Sequence, residues 1–111
     1  MATVDFEGKQ IEVDEDGYLV SLDDWAPGLA TQLAKGDDLE LTEAHWEVIN
    51  FLRDYYQKYQ IAPMIKILVK EIAKVMGPEK GNTKYLYELY PDGPAKQACR
   101  YAGLPKPTGC V

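Results

Sequence analysis

The sequence predicts a mainly α-helical domain with a small N-terminal β-hairpin, a helix-turn-helix-like pair in its middle and a flexible C-terminal arm. Three observations carry this. Apolar and polar residues alternate at period two only near the N-terminus, over about residues 3–20. Apolar residues at helical spacing, with start and stop signals, recur from about residue 23 to 102. The final stretch, 104–111, holds Pro105, Pro107 and Gly109 and has no apolar period. At 111 residues the chain fits one domain, expected over 1–103, with the arm at 104–111.

The elements follow in order. Val4-Asp5-Phe6 and Ile11-Glu12-Val13 alternate around a Glu7-Gly8 turn, and Asp16-Gly17 marks a second turn before Tyr18-Leu19-Val20. The N-terminus is therefore a hairpin or a three-stranded meander. Ser21 with Asp24 three residues on has the spacing of a capping box, with Pro27 tolerated in the first turn. Trp25, Leu29 and Leu33 give that helix its stripe, and Gly36 stops it. Thr42 is the expected N-cap of a longer helix reaching about Tyr59, with Trp46, Ile49, Phe51, Leu52 and Tyr56 facing inward. Pro63 opens a third helix, Met64 to Met76, whose Ile65, Leu68, Val69 and Ile72 make it largely a core element. Short helices are expected at Thr83–Tyr90 and Ala95–Ala102, the second opened by Pro94 and closed by Gly103.

Composition narrows the function classes. Hydrophobic residues make up 46% and charged residues 27%, which is ordinary for a folded domain. No apolar run approaches the ~18 residues of a membrane span, and the N-terminus lacks a signal-peptide pattern, so a cytoplasmic location is expected. Residues 1–60 hold 14 acids and 4 bases, whereas residues 61–111 hold 4 acids and 8 bases. The front half therefore repels nucleic acid, and the back half suits an anionic partner. Lys66, Lys70, Lys74, Lys80 and Lys84 read first as solvated helix faces.

The helix pair over 43–59 and 63–76, following strands, raises a winged-helix, nucleic-acid-binding alternative, with Lys66, Lys70 and Lys74 as a basic stripe. That second helix has no Arg, Asn or Gln to read base edges, and the pI of about 4.7 opposes a large phosphate footprint. His45 is the only histidine and has no Cys nearby in sequence, so no metal site is expected and its reading is a first-turn surface or core-edge residue. There is no glycine-rich phosphate loop, no nucleophile-elbow motif and no C-x-x-C, and no cofactor is expected.

The chemistry is expected at the C-terminal end. In a reducing compartment, Cys99 and Cys110 are either two inert thiols or a reactive dithiol. Cys99 falls on the last helix, while Cys110 is penultimate and follows Pro105, Pro107 and Gly109. Such an arm, hinged at Gly103, can extend into a partner's pocket or fold back to bring Cys110 to Cys99, and a loop this short costs little entropy to close. Arg100 and Lys106 are nearby cations that favour thiolates, and Lys96 is a further candidate. A thiolate that accepts sulfane sulfur becomes a persulfide, which a second thiol can discharge.

The stretch Gly93-Pro-Ala-Lys-Gln-Ala-Cys-Arg-Tyr-Ala-Gly-Leu-Pro-Lys-Pro-Thr-Gly-Cys-Val111 resembles the C-terminal signature of the DsrC/TusE family, the gamma-subunit-like proteins associated with dissimilatory sulfite reductase and their tRNA-thiolation relatives. Asp14-Glu-Asp-Gly-Tyr18, Leu41-Thr-Glu-Ala-His-Trp46, Phe51-Leu-Arg-Asp-Tyr-Tyr56 and Lys80-Gly-Asn-Thr-Lys-Tyr-Leu-Tyr87 are similar to family segments too. The resemblance implies a sulfur-carrier protein and redox co-substrate rather than a stand-alone enzyme. It implies sulfur on Cys110 and, because both cysteines are present, a DsrC-branch resolving thiol at Cys99, which TusE proteins usually lack. It also implies a linked disulfide or trisulfide state and three partners. These are a DsrEFH/TusBCD-like sulfurtransferase, the DsrAB-like sulfite reductase, and a DsrMKJOP-like membrane redox complex with a heterodisulfide-reductase-like subunit. Residues from about Gly77 to Lys84 resemble the longer form of this region, which goes with sulfur oxidisers and TusE proteins more than with sulfate reducers, and the resemblance therefore implies the oxidative direction. A TusE-like relay to tRNA thiouridine is the alternative within the family, and a monomer is expected.

Overall fold

The structure is a computed structural model, and it describes residues 2–107. Among these, a two-stranded antiparallel sheet is followed by five α-helices. Strand β1 (Ala2–Phe6) pairs with β2 (Lys9–Val13) in the register Val4↔Ile11 and Phe6↔Lys9. The connection is the expected one. Glu7 and Gly8 both take positive φ, 50° and 83°, as a two-residue turn matched to strand twist requires. Ile11 and Val13 are buried, and with half-buried Val4 and Phe6 they pack on Leu19 and Leu29 as a small satellite core.

The third strand is reduced to one bridge, Val13↔Leu19. Residues 14–18 are held as a loop instead, because the Asp14 carboxylate accepts hydrogen bonds from the backbone N–H of Asp16 (2.9 Å) and Tyr18 (3.0 Å).

The first helix differs from the sequence expectation. Ser21 makes no side-chain cap, and Leu22–Asp24 is a single 3-10 turn. Helix α1 starts afresh at Pro27 and runs to Gly36, with Pro27 in its first turn and Ala26 extended. Pro27 explains the break. It disfavours helical geometry at Ala26 and offers no N–H to a helix begun at Ser21, yet it is well suited to the first position of a new one. Trp25 consequently lies in the break rather than on a helical stripe.

Helix α2 (Glu43–Tyr59) follows the expected N-cap Thr42. Gln60, in the left-handed region at φ 58°, turns the chain towards α3 (Ile65–Met76). Pro63 sits just ahead of α3, and Met64 takes the capping position. Lys66, Lys70 and Lys74 on α3 and Lys84 beyond it are exposed, as the solvated reading required, whereas Lys80 lies in the turn after α3, half-buried and paired with Glu47 at 2.7 Å. Gly81 makes the α3–α4 connection possible, since a β-carbon there would lie 2.3 Å from the Ala73 backbone. Helix α4 (Thr83–Leu89) is capped by Asn82, whose side chain accepts from the Tyr85 N–H at 2.8 Å.

Helix α5 (Pro94–Tyr101) packs against α1, α2, α3 and α4. Its Ala95, Ala98, Cys99 and Tyr101 are buried in the main core with Ile49, Leu52, Leu68, Ile72, Leu86 and Tyr90. The last helix of the chain is thus its structural hub. Among the described residues no helix is long and apolar enough to cross a membrane.

Candidate functional site

The C-terminal end of α5 brings together most of the residues that the sequence singled out, but on two separate faces. Cys99 lies on the inner face and is fully buried. Its neighbours form a hydrogen-bonded aromatic wall. The Tyr90 hydroxyl donates to the His45 carbonyl at 2.7 Å, and the two rings meet edge to face at 5.1 Å. The His45 Nδ1 accepts from the Thr42 N–H at 3.0 Å, which leaves Nε2 to carry the proton and donate to the Leu89 carbonyl at 2.7 Å. The lone histidine is therefore a strut between the start of α2 and the end of α4, in keeping with the core-edge reading. Burial raises the pKa of the Tyr90 phenol, and nearby Tyr101 and the Cys99 thiol push it the same way.

Lys96, Arg100 and Lys106 lie on the outer face, where they line one cleft of about 370 Å³ with Asp16, Tyr18, Asp37, Asp92 and Gln97. The guanidinium of Arg100 is ion-paired with Asp37, and Lys106 reaches Asp16 at 3.2 Å. Both cations expected to favour the thiolates are thus engaged by carboxylates. A relay runs along the cleft floor. The Asp92 N–H donates to Gln97 Oε1 at 2.9 Å, Gln97 Nε2 donates to the Tyr101 hydroxyl at 2.9 Å, and that hydroxyl donates to Asp37 Oδ2 at 2.7 Å. Burial raises the Tyr101 pKa, with the Gln97 hydrogen bond and Arg100 opposing the shift. The Tyr18 hydroxyl reaches the Lys96 carbonyl at 3.2 Å and ties the acidic loop 14–18 to α5.

The arm begins on the body. Leu104 is 3% exposed, Pro105 is half-buried and Pro107 is buried, so of residues 104–107 only Lys106 meets the expectation of an exposed arm. Apolar contact explains this, since Leu104 joins the main core. Gly103 takes φ 74°, and a β-carbon there would lie 2.4 Å from the Trp25 ring, so this hinge has space for glycine alone. Gly109 and Cys110 lie outside the described residues.

Two residues that sequence reasoning did not connect with this end of α5 also meet there. The Trp25 indole N–H donates to the Tyr101 carbonyl at 2.7 Å, and Arg53 Nη1 donates to the Ala102 carbonyl at 2.7 Å. The Arg53 guanidinium lies 3.8 Å from the centre of the Trp25 ring. No local spacing signals this, since the partners stand 76 and 49 residues apart. Among the described residues no three His, Cys, Asp or Glu side chains are grouped to hold a metal.

Known proteins are similar to this chain in sequence and in overall fold. The family described as DsrC like protein matches residues 5–111. The solution structure of Allochromatium vinosum DsrC is 64% identical, covers 99% of this chain and 98% of its own, and superposes with a TM-score of 0.90. The oxidized gamma-subunit of the dissimilatory sulfite reductase (DsrC) from Archaeoglobus fulgidus is 47% identical, with a TM-score of 0.84 over 98% of this chain and 99% of its own. Sulfurtransferase TusE of Photorhabdus laumondii is 53% identical over 96% of each chain. With its family signature running over nearly the full length and the same fold in its structural neighbours, this chain belongs to the DsrC-like protein family.

Proposed function

We propose that this protein is a cytoplasmic sulfur carrier and redox co-substrate, with Cys110 as the carrying thiol and Cys99 as its resolving partner. The observation that supports it most is the 64% identity to a DsrC over almost the whole chain, joined to a sequence that keeps a cysteine at both 99 and 110. In this reading the Cys110 thiolate takes the outer sulfur from a persulfide donor, which leaves as a thiolate. The Cys99 thiolate then attacks Cys110 Sγ, expels hydrosulfide and leaves a disulfide. Closing the ring around the carried sulfur instead gives a trisulfide and passes two electrons, with loss of two protons, to a two-electron acceptor that a redox partner has to supply. A two-electron reductant returns the disulfide to two thiols.

The partners proposed are a DsrEFH/TusBCD-like sulfurtransferase as donor, a DsrAB-like sulfite reductase, and a DsrMKJOP-like membrane complex that resets the thiols. Burial of Cys99 adds a constraint. The inner face of α5 has to yield at its C-terminal end for Cys99 to react, so this thiol is expected to stay unreactive until the arm is loaded or displaced.

The experiment is intact mass after incubation with a sulfane-sulfur donor, for wild type, Cys110→Ser and Cys99→Ser. Wild type and Cys99→Ser should each gain about 32 Da per sulfur, removable by reductant, while Cys110→Ser gains none. No gain in any variant, with Cys110 alkylating readily, sinks the carrier reading. A TusE-like relay to tRNA thiouridine is the second reading, favoured by the 53% identity to a protein of that name. Unchanged thiouridine in a deletion strain excludes it.

A further inference from the structure

Cys99 lies in the last turn of α5, and that turn is held by more than a helix terminus requires. The last carbonyls of a helix lack intrahelical donors, so helix ends open more easily than helix middles. The backbone closes part of this end, since the Leu104 N–H donates to the Cys99 carbonyl at 3.0 Å and the Gly103 N–H to the Arg100 carbonyl at 3.2 Å. Side chains from two other elements close the rest. Trp25, from the break before α1, takes the Tyr101 carbonyl, and Arg53, from α2, takes the Ala102 carbonyl. Every carbonyl from Cys99 to Ala102 thus has a donor. The two side-chain donors also brace each other, with the guanidinium over the indole ring. Trp25 and Arg53 are each half-buried, whereas Cys99 is 0% exposed. Arg53 and Leu104 also line a surface cleft of about 250 Å³. The groups that fix the last turn are therefore reached from outside, while the thiol within it is not.

We infer that Trp25 and Arg53 are positioning residues that form a clasp on Cys99: they hold the last turn of α5 shut, and their release exposes the thiol without unfolding the rest of the domain. The importance of the clasp rests on the carrier reading above, in which Cys99 has to react. Its physical basis is local opening. A buried thiol reacts only in the fraction of molecules that expose it, so its rate is that of an exposed thiol multiplied by that fraction. Opening the turn costs the two side-chain hydrogen bonds and draws Leu104, 3% exposed, out of the core. Ala95 and Ala98, earlier on α5, are packed in the main core and lie outside the part that opens. Neither Trp25 nor Arg53 is assigned a contact with the sulfur. Their action runs through the backbone of residues 101 and 102.

The test is the rate at which iodoacetamide alkylates Cys99 across a urea series. All chains carry Cys110→Ser, so that Cys99 is the one cysteine. The thiolate forms a carbon–sulfur bond and expels iodide, and intact mass reads the product. This reference chain is compared with the same chain carrying Arg53→Lys, Trp25→Phe or Leu86→Val, and the global stability of each is measured in the same series. Arg53→Lys keeps the charge but loses the planar fork that stacks and donates together, and Trp25→Phe keeps a ring but loses the N–H donor. Leu86→Val loosens the core at a fully buried site on α4 and reports general loss of stability.

The reference rate should be nearly flat in low urea and steepen only where the whole domain unfolds. Arg53→Lys and Trp25→Phe should each raise the flat part roughly 10-fold. Leu86→Val should leave it within about twofold and only bring the steep part to lower urea. A flat part within about twofold of the reference in either clasp variant overturns the inference. So does an equal rise in Leu86→Val, because the effect would then be one of stability. A reference rate that follows global unfolding at every urea concentration overturns it too, since Cys99 would then be exposed only with the whole domain. The carrier reading fails separately, by absent sulfur loading in a chain that keeps Cys110, and that failure leaves these rates untouched.

Discussion

The two faces of α5 are built on opposite terms. The inner face is apolar and complete. Ala98, Cys99 and Tyr101 are fully buried, and their polar neighbours Tyr90 and His45 have each found a fixed partner. The outer face is a charged cleft in which Lys96, Arg100 and Lys106 face Asp16, Asp37 and Asp92. Apolar packing and buried hydrogen bonds are insensitive to salt, whereas exposed ion pairs are weak and screened. A single short helix thus joins a face that fixes position to a face whose contacts can be exchanged for those of a partner. The helix terminus and the arm lie where the two meet.

The sharpest break in this contrast is at the hinge. Gly103→Ala places a β-carbon in a left-handed residue and against Trp25, and it should cost about 3 kcal/mol of unfolding free energy in a urea titration. A loss below about 0.5 kcal/mol would show that the end of α5 adapts freely, and the contrast would fail at its junction.

On the inner face, Tyr90→Phe removes the donor to the His45 carbonyl and should cost about 1–2 kcal/mol at neutral pH. The same residue gives the pH signature. Its pKa is raised in the folded state, so folding favours the protonated phenol. That contribution is fully present below the ordinary tyrosine value near pH 10 and is lost as pH rises from there towards the folded value. Between about pH 10 and 11.5 the stability of wild type should fall by roughly 1.4 kcal/mol per pH unit more steeply than that of Tyr90→Phe. Parallel alkaline slopes would place the Tyr90 phenol in contact with solvent.

Outer-face effects should be smaller. Asp37→Asn weakens the ion pair to Arg100 and the acceptor of the Tyr101 hydroxyl, and about 1 kcal/mol is expected, shrinking in 0.5 M salt. A loss that salt leaves unchanged would assign the effect to the Tyr101 hydrogen bond alone. Smallest of all, Lys106→Ala should change stability by less than about 0.5 kcal/mol, because its pair with Asp16 is half exposed. Should it cost more than Asp37→Asn, the arm would be anchored by charge and not by Leu104.

Several elements could be read without the structure because their causes are local. The Glu7-Gly8 turn, the Thr42 cap, the end of α3 before Gly77 and the opening of α5 at Pro94 depend on residues within a few positions of each other. The Ser21 box failed for an equally local reason that pointed the other way. Pro27 restarts the helix, and its restriction on Ala26 outweighs the spacing of Ser21 and Asp24. The gathering of Lys96, Arg100 and Lys106 at one place was foreshadowed by the basic back half, but their carboxylate partners were not. Asp16 and Asp37 stand 90 and 63 residues from the cations they hold.

What the sequence determined by itself was the order and type of the elements, the family, and the two cysteines at the C-terminal end, because capping chemistry, periodicity and a contiguous signature are written along the chain. What only the tertiary structure decided was that α5 is the hub, that Cys99 faces the core while its neighbouring cations face a cleft, and that Trp25 and Arg53 hold the carbonyls where the arm begins. The reason is physical. The face of a helix is fixed by local spacing, but which distant groups come to meet that face depends on how several amphipathic elements bury their apolar surfaces at once.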